Sequence, residues 1–459
     1  FVIAGTSVGI IIPCMPLLVS ELSIPASEFG LVVSAFGLSK LLGNIPSGYF
    51  VEKLGRKPSM VFGLGMCGVG LGALGLALQP GFGTPWLIAC RLVSGLGVSG
   101  FVAGGYMFMS DISTPLNRTR TIAPVMAGFS GGAALGPALG GVLIDSIGIS
   151  ATYATVGGMF LALAGMNCLL LHETKNFTPS AAATLPPQAI STTSSNSNSS
   201  SSSKTVLSNP TERATATIPA AAPESNWTGV VNSFHEAFAA WKRLLNDPNT
   251  QIRNTVRMNG MFWFTVSGTQ MTLLPLLMVG PRALDATSAA SAGLAMSAAE
   301  IGGCFAFMSL VSFVSAQPMA YLADKYGKVP TILGGCGLLS CSMLALPLTT
   351  SVHAASFALP VLPLLPVLPD YTPVLVAVLL PFALGNTALN ATPTALMADL
   401  TEPAVRAQAL SLLRTSGDLG LLLGASFAGA LAHYSSIDTA LATNGALTAA
   451  AMLWFGVKN

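Results

Sequence analysis

Four charged residues sit where the sequence gives them almost no polar company: Lys40, Arg91, Arg414 and Asp418 each lie inside a long apolar run. If the runs are helical at 1.5 Å per residue, Lys40 is about 12 Å in from Gly48 and Asp418 about 18 Å in from Arg406. A charge held that deep is costly, so such residues mark substrate or ion pathways. Asp418 is the one acid placed deep in any run. It can take up and release a proton, which makes it the candidate carrier of a coupled proton. Arg414 precedes it by one helical turn, a spacing at which the two can pair. Three cations against one acid also suit an organic anion, because excess buried positive charge needs a counter-ion. The chain shows no phosphate loop, nucleophile elbow, zinc spacing or cofactor motif, so it does not read as an enzyme. Its cysteines, at 14, 67, 90, 168, 304, 336 and 341, are scattered through apolar runs as small core side chains.

Two short charge clusters carry a different chemistry. Gly48-Tyr-Phe-Val-Glu52-Lys53-Leu-Gly55-Arg56-Lys57-Pro58 separates two apolar runs, and Ala320-Tyr321-Leu-Ala-Asp324-Lys325-Tyr-Gly327-Lys328-Val-Pro330 repeats it. Acid, Lys, Gly, cation and Pro fall in the same order. A loop that had only to be positive would need the cations and not the order. Gly55 permits a positive φ in a tight turn, and Pro58 suits the start of the next helix.

The first cluster resembles the loop of the major facilitator superfamily, Gly-x-x-x-Asp-Arg/Lys-x-Gly-Arg-Arg/Lys, between the second and third helices. Glu52 stands for the usual Asp; in the second cluster Ala320 replaces Gly and Val329 a cation. Arg91-Leu-Val-Ser-Gly95-Leu-Gly97 is similar to the fourth-helix motif of that family. Gly132, Gly136, Pro137, Gly140 and Gly141 are similar to the fifth-helix motif of its drug–proton antiporters. The resemblance implies two six-helix halves rocking about a midplane site. It also implies that Glu52 and Arg56 help lock the outward-facing state, and that Arg91 serves proton transfer or substrate binding.

The elements that must position these residues follow from composition. Hydrophobic residues make up 52% of the chain and charged residues 8%, where a soluble domain carries roughly 25% charge. The class is therefore all-α and polytopic in the membrane, and a net charge of +2 argues against a nucleic-acid surface. Twelve spans are predicted, at 1–19, 29–51, 58–78, 84–109, 121–143, 150–171, 256–279, 299–322, 329–350, 373–397, 406–432 and 438–457, each near the ~20 residues a membrane helix needs. Residues 1–171 form an N-terminal half, 256–459 a C-terminal half and 172–255 a linker. In the linker, Thr192–Ser203 is nearly all Ser and Asn and is expected to be disordered. Phe234, Phe238, Trp241 and Leu245 beside Lys242 and Arg243 predict a short helix on the membrane surface. Pro13 and Pro16 suit a kinked first helix lining a cavity. Glu28 and Glu300 fall in first helical turns, where the helix dipole favours an acid.

The halves repeat. Asp111-Ile-Ser-Thr-Pro115 matches Asp399-Leu-Thr-Glu-Pro403, and Gly132, Gly136 and Gly141 match Gly420, Gly424 and Gly429. On this offset Asp418 corresponds to Ser130; the two charge clusters match at an offset smaller by sixteen, on which Lys40 corresponds to Ser312. With the linker and both termini in the cytoplasm, every Lys and Arg except Lys40, Arg91, Arg414 and Arg282 lies on the cytoplasmic side. The chain opens on Phe1, so a further N-terminal segment is expected. The reading is a monomeric carrier of a small-molecule substrate, proton-coupled and exporting, with no cofactor and no metal. An organic-anion carrier and a non-transporting sensor on the same fold remain open beside it.

Overall fold

The structure, a computed structural model, describes residues 1–112, 118–175, 226–280, 294–353, 373–402 and 405–458. Helices dominate, as they must where apolar chain cannot lend its backbone groups to water. The first six are α1 (Val2–Glu21), α2 (Ala26–Leu54), α3 (Arg56–Gly72, extended by a 3-10 turn Ala73–Leu78), α4 (Thr84–Asp111), α5 (Arg118–Ile147) and α6 (Ile149–Leu170). A separate helix, α7 (Asn226–Leu245), follows. The next span is composite: α8 (Thr250–Thr265), a π-helical stretch Val266–Leu273, and α9 (Leu274–Val279). It starts at Thr250 rather than at the predicted 256. α10 (Ala298–Tyr326), α11 (Lys328–His353), α12 (Pro373–Leu400), α13 (Arg406–Tyr434) and α14 (Ile437–Lys458) complete the set. Eleven of the spans are long and apolar enough to cross a membrane among the described residues. α5, 30 residues long and packed on α1 and α10, supplies the remaining member of the predicted twelve. The chain is an integral, multi-pass membrane protein.

The contact pattern repeats along the chain. α1 packs on α5 as α8 packs on α13, α3 on α4 as α11 on α12, α2 on α4 as α10 on α12, and α3 on α6 as α11 on α14. α1 passes unbroken through Pro13 and Pro16 and lies against α5 and α6. α2 and α10 are 29 residues each, about 43 Å at 1.5 Å per residue. That exceeds the ~30 Å hydrocarbon core, so their charged ends stand outside it. Each carries one inner proline, Pro46 and Pro318, at the same place before its turn glycine.

The repeated charge cluster is not a loop. α2 runs to Leu54 and α3 starts at Arg56, so Gly55 alone makes the turn, with φ of 113°. Gly327 does the same between α10 and α11, at 98°. Pro58 and Pro330 therefore fall within the first turn of the following helix rather than at its first residue; there their missing N–H costs nothing. Glu28 lies in the first turn of α2, where it accepts from the Thr84 hydroxyl. Glu300 closes a capping box with Ser297 at the start of α10. Gly55→Ala and Gly327→Ala are each expected to cost about 1–3 kcal/mol, the strain of a left-handed non-glycine residue. Thermal melting of the purified protein checks this; an unchanged midpoint would show that the turn tolerates a side chain.

The predicted amphipathic helix is α7, but it docks on protein. Trp241 and Leu244 are buried against Ile252 and Val256 of α8, Met397 of α12 and Ala409, Leu412 and Leu413 of α13. α7 also touches α2, so it bridges the two sets of helices on the linker side. The Ser/Asn-rich stretch and the segment after α11, residues 354–372, lie outside the described residues.

Candidate functional site

Two seams join the first six helices to the last six: α5 with α10, and α2 with α13. Glycines let the backbones touch at the ends remote from the linker. A Cβ on Gly141 would lie 2.7 Å from the Ala298 carbonyl oxygen, and one on Gly302 2.4 Å from that of Pro137. On the other seam a Cβ on Gly429 would lie 2.5 Å from the Ala26 oxygen, and one on Gly30 2.4 Å from that of Ala425. Real Cβ atoms essentially never come within 3.0 Å, so these places fit glycine alone. Ser34 reinforces the second seam, donating to the Leu422 carbonyl at 2.7 Å and accepting from Ser426 at 2.7 Å. Other glycines of the same helices face inward: Gly132, Gly136 and Gly140 press on α1, Gly420 and Gly424 on α8. The fifth-helix motif thus serves both contacts of α5, and α13 repeats the arrangement. Gly95 of the fourth-helix motif approaches Phe36 and Ser39 of α2, and Gly97 approaches Gly63 and Cys67 of α3.

Deeper in the α2–α13 seam the charges meet. Lys40 Nζ lies 2.8 Å from Asp418 Oδ1. Asn44, one turn further along α2, donates through Nδ2 to Oδ2 at 2.5 Å. The Asp418 side chain is 9% exposed and that of Lys40 25%, so a buried acid meets a partly buried cation, with hydrogen bonds to both carboxylate oxygens. The Phe36 ring stands behind it, with Lys40 Nζ 5.9 Å and Arg91 Cζ 5.7 Å from the centroid. The Arg91 Nε is buried and has no hydrogen-bond partner among the described residues. Arg414 takes no part in the pair that its spacing predicts. Its guanidinium lies 4.8 Å over the ring of Tyr106 in α4. The reason is energetic: an exposed pair along one helix contributes about 0.2–0.5 kcal/mol, whereas leaving a buried charge unpaired costs about 3–5 kcal/mol. Asp418 therefore turns to the donors across the seam.

Toward the linker the α5–α10 seam parts into a cavity of about 990 Å³. Its wall comes from α5 (Phe129 to Ala134), Gln270 of the π-helical stretch, α10 and α12, and it reaches Asp324 and Lys328 at the helix ends. Ser130 and Ser312, the repeat counterparts of Asp418 and Lys40, both line it. One seam therefore carries an ion pair where the other carries two hydroxyls and a void. Lys40 and Arg91, expected to face a central cavity, are not part of this wall.

The turn cluster forms its own site outside the hydrocarbon zone. Arg56 grips Asp111 at the end of α4, Nε to Oδ2 at 2.7 Å and Nη2 to Oδ1 at 3.4 Å. Lys328 pairs with Asp399 in the equivalent place. Glu173, just past α6, accepts from the backbone N–H of Arg56 at 2.9 Å and of Lys57 at 3.1 Å, capping α3. Thr174 donates to Asp111, and Lys175 donates to the Lys53 carbonyl. Lys325 lies over the rings of Tyr321 and Tyr326. Glu52 is exposed on the last turn of α2, and a Cβ on Gly48 would meet open space.

Sequence reasoning missed Asn44, Glu173 and the cavity's amides. Asn44 was signalled by its i+4 spacing from Lys40. Glu173 carried no local signal, since its partners are far along the chain. Gln270 and Asn386 were signalled by being carboxamides inside apolar spans.

Residues 1–368 match the family model described as Major Facilitator Superfamily. Quinolone resistance protein NorA of Staphylococcus aureus is 24% identical over 184 residues, 40% of this chain and 46% of the relative. Multidrug resistance protein 1 of Bacillus subtilis is 28% identical over 143 residues, 31% of this chain and 36% of the relative. The matches span less than half the length of these curated relatives. Among solved structures, the human organic anion transporter MFSD10 (TETRAN) aligns with a TM-score of 0.57 at 16% identity, covering 99% of this chain and 96% of that one. The nucleoside transporter NupG aligns at 0.62 and 12% identity, covering 100% and 98%. At these identities the structural likeness establishes the fold alone.

Proposed function

The chain belongs to the major facilitator superfamily, and from that membership we propose that it exports small organic molecules by alternating access, with protons moving the opposite way. The observation that carries the reading is the cavity of about 990 Å³ between α5, α10 and α12, which reaches the linker-side helix ends while glycines close the same α5–α10 seam at its far end. Alternating access rocks two repeats around a central site, here residues 1–171 against 256–459, with 172–255 as the connection. The excess of Lys and Arg on the linker side supports a cytoplasmic linker, so the cavity opens inward. On this reading the carrier is a monomer, each chain holding its own cavity. The names of the relatives, quinolone and multidrug resistance, support efflux of drug-like cargo.

Coupling falls to Lys40 and Asp418, which face each other across the boundary that must move. Opening the far side draws α13 from α2. Asp418 then loses Lys40 and takes a proton in its place; re-pairing expels the proton. Arg91, behind Phe36, adds positive charge on the α2 side and favours the re-paired state. The organic-anion reading loses part of its motive, because Lys40 is already neutralised by Asp418.

Proteoliposomes holding the full chain test this. With the membrane potential held at zero, a labelled organic probe should accumulate only when a pH gradient is imposed. Flux indifferent to the gradient would remove the coupling, and correct insertion without flux would favour a sensor. For the topology, cysteines placed at Ser435 and at Lys325 should react with impermeant reagents from opposite sides. Reaction from one side would overturn it.

A further inference from the structure

Resting on the reading of the large cavity as the cargo site, we infer that the cargo is uncharged and recognised by hydrogen bonds to a group of carboxamides on the C-terminal half. Four amide side chains line the cavity: Gln270, Gln317, Asn386 and Asn390. Asn386 Nδ2 donates to Gln270 Oε1 at 3.2 Å, so two of them are held in register. Each amide offers both donors and an acceptor, and so matches ligands rich in amide or hydroxyl groups.

Gln270 owes its place to the π-helical stretch Val266–Leu273. Such stretches are rare and occur frequently at functional sites. Thr272 bonds back to the Ser267 carbonyl at 2.9 Å, meeting a backbone acceptor left by the wider turn. Gly268 allows the distorted helix to sit against Asn444 and Gly424. The chain thus sustains an irregular backbone at the point where Gln270 reaches the cavity.

The distribution of charge decides against a charged cargo. A charge entering a low-dielectric site needs a fixed counter-charge. Among the described lining residues the charged ones are Asp324 and Lys328, both at the linker-side helix ends, and Lys328 is paired with Asp399. Lys40 and Asp418 pair with each other on the opposite seam, Arg414 lies over the Tyr106 ring and Arg91 lies behind Phe36; none of the four lines the cavity wall. Where α2 and α13 place Lys40 and Asp418, the cavity's seam has Ser312 and Ser130. Phe129, Phe313 and Met308 add apolar surface beside the amides. The wall fits an uncharged molecule with one flat apolar face and a hydrogen-bonding edge. Its volume is near the top of the ~300–1,000 Å³ range for small-molecule sites.

The test is flux of three probes in proteoliposomes of the full chain: chloramphenicol, an uncharged aromatic amide with two hydroxyls; ethidium, a cation; and fluorescein, an anion. Chloramphenicol should be moved, and the charged probes should neither be moved nor compete. The double variant Gln270→Leu/Asn386→Leu should raise the chloramphenicol half-saturation concentration about tenfold, and Gln317→Leu should raise it less. Ethidium or fluorescein moved in preference, or chloramphenicol flux indifferent to the amide variants, would overturn the proposal and leave the carrier reading standing. If none of the three moves in protein shown to be correctly inserted and folded, the carrier reading falls and the proposal falls with it.

Discussion

Asp418→Asn is expected to abolish gradient-driven accumulation while sparing exchange of cargo at equal pH. Asparagine can still meet Asn44, but it cannot neutralise Lys40 or exchange a proton. The change leaves the partly buried Lys40 in the α2–α13 seam without its partner, a loss below the roughly 3–5 kcal/mol of a fully buried pair. The purified variant should therefore also melt at a lower temperature. Lys40→Met/Asp418→Leu separates the two effects: an apolar pair should recover stability and should not recover uphill transport. If the double variant still accumulates cargo on a pH gradient, the pair is structural and the coupling group lies elsewhere.

Gly302→Leu is expected to keep the far side from closing. Its Cβ alone would lie 2.4 Å from the Pro137 carbonyl oxygen, an atom of the facing backbone. Overpacking typically costs about 1–3 kcal/mol, and 1.4 kcal/mol is tenfold in an equilibrium. The inward-open population should thus fall about 5- to 150-fold, and transport with it. A cysteine at Ser309, on the cavity wall, should react more slowly from the linker side and faster from the far side. Unchanged reactivity from both sides would mean that the seam yields elsewhere. Gly429→Leu, on the matching seam, should act in the same direction.

Much of the fold was legible because membrane helices announce themselves by length and apolarity, and because the chain states its pattern twice. The turn glycines Gly55 and Gly327 and the stripes ending at Gly141 and Gly429 were readable for the same reason: a backbone requirement leaves glycine little substitute. Side-chain partnerships were less legible. Arg414 and Asp418 are neighbours along a helix, and spacing proposed a pair; the structure gives Asp418 to Lys40 and Asn44 in α2 instead. Sequence spacing reports what shares a helix face, not what that face meets. Glu173 was invisible for the same reason, since its role depends on α6 ending beside the start of α3. The cavity's amides stand out less than the charged residues of the spans, because an amide carries no formal charge.

An uncharged cargo would have an electrical consequence. A voltage across the membrane does work only on charge that crosses it, and neither a neutral cargo nor a closed Lys40–Asp418 pair carries any. Under the proposed exchange, the proton is then the one net charge moved in each cycle. A potential of 100 mV adds about 2.3 kcal/mol per elementary charge, in the same direction as an inward pH difference. Such an exporter draws on voltage and pH together, and vesicles clamped to an inside-negative potential at equal pH should still accumulate cargo on the far side.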